Sequence, residues 1–236
     1  MKKPDNNKIR DAACLLASVA VVIMILAAAV FTPAFDRNFY FKEYEKNGTY
    51  AQVGVSEADM ERVTDVLIGY MRNEGTLEVS VPVNGVVRPF FSEREILHMD
   101  DVRNLMNNGL LLRNICIIYL MAMLVYMFPK KFTLCLPKIF VYNNFAAIAF
   151  VLVMGLMALN FEGAFTAFHK IFFNNDLWIL DPNVDLLINI VPFQFFTDMA
   201  LRIGSAFVYY FALAQVLMRF LINMANKAKK EEVQVS

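Results

Sequence analysis

Residues Phe165 to Asp185 read FTAFHKIFFNNDLWILDPNVD. The stretch holds one of only two histidines, the sole tryptophan, three acids and the adjacent Asn174 and Asn175. It lies between two strongly apolar runs, Phe145 to Phe161 and Ile203 to Ile222, each of a length and composition able to cross a bilayer. A polar, chemically varied segment held between such runs belongs at a membrane surface, within reach of lipid. The composition agrees. Hydrophobic residues make up 58% of the chain and aromatics 14%, whereas an ordinary soluble domain is nearer half apolar.

Working outward, four apolar runs approach or exceed the roughly 20 residues that a helix needs to cross hydrocarbon: about 12–35, 109–128, 141–161 and 203–222. Four crossings put both termini on one side, and the basic residues choose the side. Lys2, Lys3, Lys8 and Arg10 precede the first run, Lys130, Lys131 and Lys138 occupy the short loop Pro129 to Tyr142 without an acid, and Arg219, Lys227, Lys229 and Lys230 lie in the tail. Glu162 to Met199, by contrast, has Lys170 alone against Glu162, Asp176, Asp181, Asp185 and Asp198. Both termini are therefore expected in the cytoplasm, with 36–108 and 162–202 outside. The first run follows a basic start as a signal peptide would, but it is about twice the length of a usual h-region and reads as an uncleaved anchor.

The fold class expected is an all-α membrane protein with four transmembrane helices, N-in and C-in, forming a single integral membrane domain. A small extracytoplasmic α+β cap of helix, β-hairpin and helix lies between spans 1 and 2, and an interfacial helical segment between spans 3 and 4. In the cap, Ser56 with Glu57 and Asp59 marks a helix start, followed by Met60, Val63, Leu67, Tyr70 and Met71 at helical spacing. Leu77 to Val83 and Val86 to Phe91 flank Asn84-Gly85, a type I′ hairpin signal. Ser92 and Glu95 form a capping box for a second helix leading towards span 2.

The 22 basic and 22 acidic residues balance, and no basic block interleaved with aromatics suggests nucleic acid. Cys14, Cys116 and Cys135 all fall outside the extracytoplasmic segments, so they are expected as small packing residues and not as disulfides.

Candidate chemistry gathers on the two outward segments. In REILHMDDVR, Arg94 to Arg103, helical spacing puts Arg94, His98, Asp101, Val102 and Leu105 on one stripe. His98 with Asp101 is then either a base with an orienting carboxylate or a surface pair on a juxtamembrane helix. Arg113 and Arg202, near the outer ends of spans 2 and 4, either snorkel to headgroups or hold substrate charge. Asp198 and Arg202, four apart, are able to satisfy one another. Around His169, Phe165, Phe168, Phe172 and Phe173 form an aromatic face suited to an interfacial helix. A histidine in so apolar a place needs a polar partner, and His98 is one candidate. Asp181-Pro182 reads as the N-cap of a helix through Leu186, Leu187 and Ile190 that ends at Pro192.

The chain has no phosphate loop, nucleophile elbow, zincin motif or dinucleotide fingerprint. Two histidines with Asp101 match no local metal spacing. General acid–base chemistry by two imidazoles near neutral pH is what these residues suit, and which would be base and which acid stays open.

REILHMDDVR together with FHKIFFNNDLWILDPNVDLLINIVPFQFF, Phe168 to Phe196, and four spans in this order resemble the lipoprotein intramolecular transacylase family of Gram-positive bacteria. The resemblance implies an acyltransferase of the cell membrane. Its substrate would be the diacylglyceryl-cysteine at a lipoprotein N-terminus, whose sn-2 acyl chain moves to the α-amino group to leave the N-acyl, S-monoacylglyceryl lyso form. For that chemistry His98, His169 and Asp101 are expected as catalytic residues, and Arg113, Asn175, Asp176, Trp178 and Arg202 against the substrate. The partners implied are the diacylated lipoprotein and membrane phospholipid, with no cofactor and a monomeric enzyme. A non-catalytic membrane accessory or sensor, or a metal-dependent membrane hydrolase, are the competing readings.

Overall fold

The computed structural model describes residues 6–127 and 132–235. Lys2, Lys3, Lys130 and Lys131, and the side chain of Lys229, on which part of the orientation argument rests, lie outside the described residues. The elements in order are α1 (Asn6–Ala34), α2 (Arg37–Asn47), α3 (Thr49–Val53), α4 (Glu57–Met71), β1 (Ser80–Val83), β2 (Val86–Pro89), α5 (Glu93–Met127), α6 (Phe132–Leu159), α7 (Phe161–Phe172), α8 (Leu187–Ile190) and α9 (Phe193–Val235). Among the described residues four helices, α1, α5, α6 and α9, are long and apolar enough to cross a membrane. Each exceeds the length its apolar run suggests. α5 rises about 50 Å over 35 residues, well beyond a hydrocarbon core of about 30 Å. Its first turns carry Arg94, Glu95, Asp100, Asp101 and Arg103, so the part suited to hydrocarbon begins near Gly109.

The chain divides into two units. The first comprises Met1–Ala29, Leu111–Ala158 and Gly204–Ser236. Its centre is a cluster of Cys14, Ala17, Met123, Cys135, Leu136, Ile139, Met218 and Ile222. Small residues on α1 let neighbouring helices come close, while Ile118, Val125, Leu152 and Val216 are more than half exposed, as side chains facing lipid must be. Polar contacts join the helices: Ser18 Oγ donates to Asn143 Oδ1 (2.6 Å) and Gln215 Nε2 to Asn144 Oδ1 (2.9 Å). The Phe150 and Phe207 rings stack with centroids 3.7 Å apart.

Two expectations are corrected here. Cys14 and Cys135 form a disulfide, with Cα atoms 5.3 Å apart, because α1 packs directly on the start of α6. The loop expected over Pro129 to Tyr142 is helical from Phe132 onward, even across Pro137. Tertiary contacts explain it. Leu136 and Ile139 are buried in the cluster, and Lys138 reaches Asp11.

The second unit comprises Val30–Leu110 and Leu159–Ile203. α4 starts where the sequence places it, with Ser56 Oγ accepting from Asp59 N (3.2 Å), and buries Met60, Val63, Leu67, Tyr70 and Met71. β1 and β2 pair antiparallel with Val83 opposite Val86, leaving Asn84-Gly85 as a two-residue turn with φ of 52° and 83°. The turn packs on Gly54, where a Cβ would lie 2.0 Å from Asn84 Oδ1. The sequence reading did not anticipate α2, whose Phe39, Tyr40 and Tyr44 are buried, with Phe195 stacked obliquely against both Phe39 and Tyr40. The helix expected from Asp181 also differs. Asp181 Oδ1 instead accepts from Asn183 N (2.9 Å) and its carbonyl from Asp185 N (2.7 Å), so the chain makes a turn there and α8 begins only at Leu187.

Candidate active site

The second unit brings its two histidines together. His98 sits in the second turn of α5, which begins with the reciprocal cap expected: Ser92 N donates to Glu95 Oε2 (2.5 Å) and Glu95 N to Ser92 Oγ (3.2 Å). The other Glu95 oxygen accepts from the Leu187 amide, and Ser92 Oγ donates to Asp185 Oδ1 (3.0 Å), whose second oxygen takes the Asp181 amide (2.9 Å). Glu95 and Asp185 are 1% and 4% exposed, yet every carboxylate oxygen has a donor. This network ties the turn below His98 to the 181–187 segment.

His169 lies in the last turn of α7. Its ring centroid is 6.2 Å from that of His98, and both residues are 8% exposed. His169 Nδ1 lies 2.7 Å from the Phe165 carbonyl one turn earlier. A carbonyl only accepts, so Nδ1 carries the proton and Nε2 the lone pair. The ring has Phe165 (4.2 Å) and Trp178 (4.8 Å) tilted against it. Phe173 meets both imidazoles, 5.4 Å from His98 and 5.6 Å from His169. His98 Nδ1 is buried and has no hydrogen-bond partner among the described residues.

Burial disfavours the charged form of both rings. The His98 imidazole is pushed down to about 4 by burial first, with His169 and Arg94 acting in the same sense and Asp101 opposing. Burial also lowers His169, while its bond to the Phe165 carbonyl works the other way.

The other candidates separate. Asp101 Oδ2 accepts from Asn175 Nδ2 (2.8 Å), so this carboxylate reaches His98 through its charge and not as a hydrogen-bonded orienter. Asn175 is used on all sides: its Oδ1 takes Leu177 N (3.0 Å) and its carbonyl takes Trp178 Nε1 (2.9 Å). It therefore organises the loop that carries Trp178. The backbone carbonyl of Asp176 accepts from Arg94. Arg202 reaches Asp36 and lies over the Phe39 ring, and Asp198 is engaged by Lys46, long-range partners that four-residue spacing does not announce, and by Gln194 one turn earlier on α9. Arg113 belongs to the first unit, where its guanidinium bonds Asn114 Oδ1 (2.9 Å). Sequence reasoning missed Arg94 as more than a stripe member and Glu95 as more than a cap. In both cases the decisive partner lies more than 80 residues away.

The model of the family described as lipoprotein intramolecular transacylase Lit matches residues 15–196. The chain belongs to that family. The transacylase is also similar in fold to a solved structure of the membrane-integral Lit of Bacillus cereus, with a TM-score of 0.80 at 23% identity, covering 94% of this chain and all of that one. Two further structures of the B. cereus protein, in which one histidine is replaced by arginine or by alanine, match with TM-scores of 0.74 at 22% identity over 94% of this chain and 96% and 97% of theirs. No curated protein matches the chain. The protein is thus an acyltransferase that modifies lipoproteins, built on four apolar helices as a multi-pass membrane protein.

Proposed function

We propose that the transacylase moves the sn-2 acyl chain of a diacylglyceryl-cysteine to the α-amino group of the same cysteine, using His98 and His169 as proton carriers. The observation that carries this reading is the approach of the two buried imidazoles to 6.2 Å, from helices 71 positions apart in sequence. The same reading places 36–108 and 162–202 on the extracytoplasmic side, with both termini inside, a monomeric enzyme, phospholipid around it and no cofactor.

The chemical difficulty is an α-amine largely protonated at neutral pH and a glycerol alkoxide that leaves poorly. The ammonium first loses one proton to solvent. The neutral nitrogen then attacks the ester carbonyl, the N–C bond forms, and His169 Nε2, whose lone pair is fixed by the Nδ1–H bond to Phe165, takes the second proton. As the C–O bond to glycerol breaks, that proton returns through His98 to the departing oxygen. Neither ring needs to rest as a cation, in keeping with the burial that disfavours the charged form of both. Phe165 and Trp178, in close aromatic contact with His169, suit the imidazolium that forms in transit. Because donor and acceptor belong to one molecule, the enzyme's task is to fold the substrate on itself and keep water away.

Mass spectrometry of a reporter lipoprotein's N-terminal peptide tests this, with wild type, His98→Ala or His169→Ala expressed. Wild type should yield the N-acyl lyso peptide. Each variant should lose about two to four powers of ten in rate while remaining folded in the membrane. A variant that converts diacyl lipoprotein at near wild-type rate sinks the assignment.

A further inference from the structure

An acyl transfer passes through a tetrahedral intermediate whose former carbonyl oxygen is negative and calls for a hydrogen-bond donor. Asn175 Nδ2 donates to Asp101 and keeps a single N–H, the Trp178 N–H is bound to the Asn175 carbonyl, and Arg113 belongs to the other unit, where it bonds Asn114. Arg94 is different. It stands one turn before His98 on the same face of α5, it is exposed, and its charge acts on the His98 ring. One terminal nitrogen donates to the Asp176 carbonyl, in the loop whose Trp178 stacks on His169. Its guanidinium is thereby anchored between the element carrying one histidine and the loop packed on the other. A guanidinium has five N–H donors, and that carbonyl is the one acceptor shown for it among the described residues.

We propose that Arg94 is a catalytic residue whose free N–H donors hold the oxyanion. This rests on the histidine reading above. As the amine nitrogen bonds to the carbonyl carbon, the π pair moves onto oxygen and its charge is met by the guanidinium. When the C–O bond to glycerol breaks, the pair returns to re-form the carbonyl, and Arg94 gains and loses no proton. The same positive charge disfavours an ammonium beside it, so the neutral amine is the form that fits.

The test uses the full chain in detergent with a synthetic diacylglyceryl-cysteine lipopeptide. Arg94→Ala should lower kcat by about 10²- to 10³-fold, the range for loss of one oxyanion donor, with KM within threefold of wild type. Arg94→Lys should fall between the two, and millimolar methylguanidinium should raise the Arg94→Ala rate at least tenfold. A kcat for Arg94→Ala within threefold of wild type overturns the proposal. So does an equal loss in both variants, with a lowered Tm and no rescue, which would make Arg94 a strap to the Asp176 loop. If Arg94→Ala does not fold, a wild-type KM with a kcat reduced at least fivefold in folded Arg94→Lys supports the proposal, and an unchanged kcat overturns it. His98→Ala is run alongside. Activity in that variant removes the histidine reading and this one with it, whereas inactive His98→Ala beside active Arg94→Ala removes this one alone.

Discussion

The two units both bury polar side chains, but of different kinds. In the helical unit they are neutral: the buried Ser18 with Asn143, and the half-buried Asn144 with Gln215, pairs that join α1 to α6 and α6 to α9. They are imperfectly matched, since Asn143 Nδ2 and Gln215 Oε1 have no partner among the described residues. In the unit that holds the histidines, carboxylates are buried at Glu43, Glu95 and Asp185; Asn47 and Lys46 reach Glu43, and backbone amides and Ser92 meet every oxygen of the other two. Hydrocarbon tolerates a neutral amide with a spare hydrogen but not an unmet charge. A unit that contains loops has free amide groups to offer a carboxylate, whereas membrane helices have spent theirs on their own turns. The charge beside His98 is therefore met largely by irregular backbone.

The sharpest way to break this contrast is Glu95→Ala. It leaves the Leu187 amide without its acceptor and removes the reciprocal partner of the Ser92 amide. At about 1–3 kcal/mol for each of these two donors left unmet, the expected loss is about 2–6 kcal/mol, read as a lowered Tm in detergent. Activity should fall as well, because the turn below His98 loosens. An unchanged Tm means that the network is ornamental.

The sequence carried one side of that network and not the other. Ser92 and Glu95 are three apart and announce the cap, but the second Glu95 oxygen finds Leu187 only because the chain returns 92 positions later. The same holds for the histidines. Local spacing offers Asp101 to His98, and tertiary structure gives Asp101 to Asn175 instead. The spans, the α4 start and the Asn84-Gly85 turn were legible because their causes are local: an apolar run, a capping hydroxyl and two residues that accept positive φ. The Cys14–Cys135 disulfide was not, since the helical start of α6 is set by packing against α1 and not by its own propensity. Arg94 was on the right stripe, but nothing nearby in sequence points to the Asp176 carbonyl.

A second prediction uses the buried imidazoles. With the folded His98 proton affinity near 4 and the unfolded value at about 6.5, the unfolded chain binds more protons throughout that interval. Stability is then full above pH 6.5 and lost as pH falls towards 4, by about 3 kcal/mol from His98 alone. His169, shifted in the same direction, adds to the slope. Unfolding followed between pH 7.5 and 4.5 should show Tm falling with pH in wild type and falling less in His98→Gln. A Tm that rises on acidification in this range would mean that the rings rest as cations, and the proposed proton path would lose its resting state.

The smallest effect is expected in the helical unit, and it sharpens the contrast most directly. Asn143→Leu removes the acceptor of Ser18 Oγ, but it also removes the unpartnered Nδ2 and puts apolar volume in a site that is 1% exposed. Ser18 is not stranded, because a helical serine is able to turn its hydroxyl to the carbonyl four residues earlier on α1. Polar pairs between membrane helices average about 0.6 kcal/mol, and relief of the unmet hydrogen acts in the opposite sense, so the net change should lie within about 1 kcal/mol of zero. Transacylation should continue at the wild-type rate. A loss above about 2 kcal/mol, or a dead but folded variant, would show that the Asn143 amide has work beyond joining α1 to α6, and the division of labour between the two units would have to be redrawn.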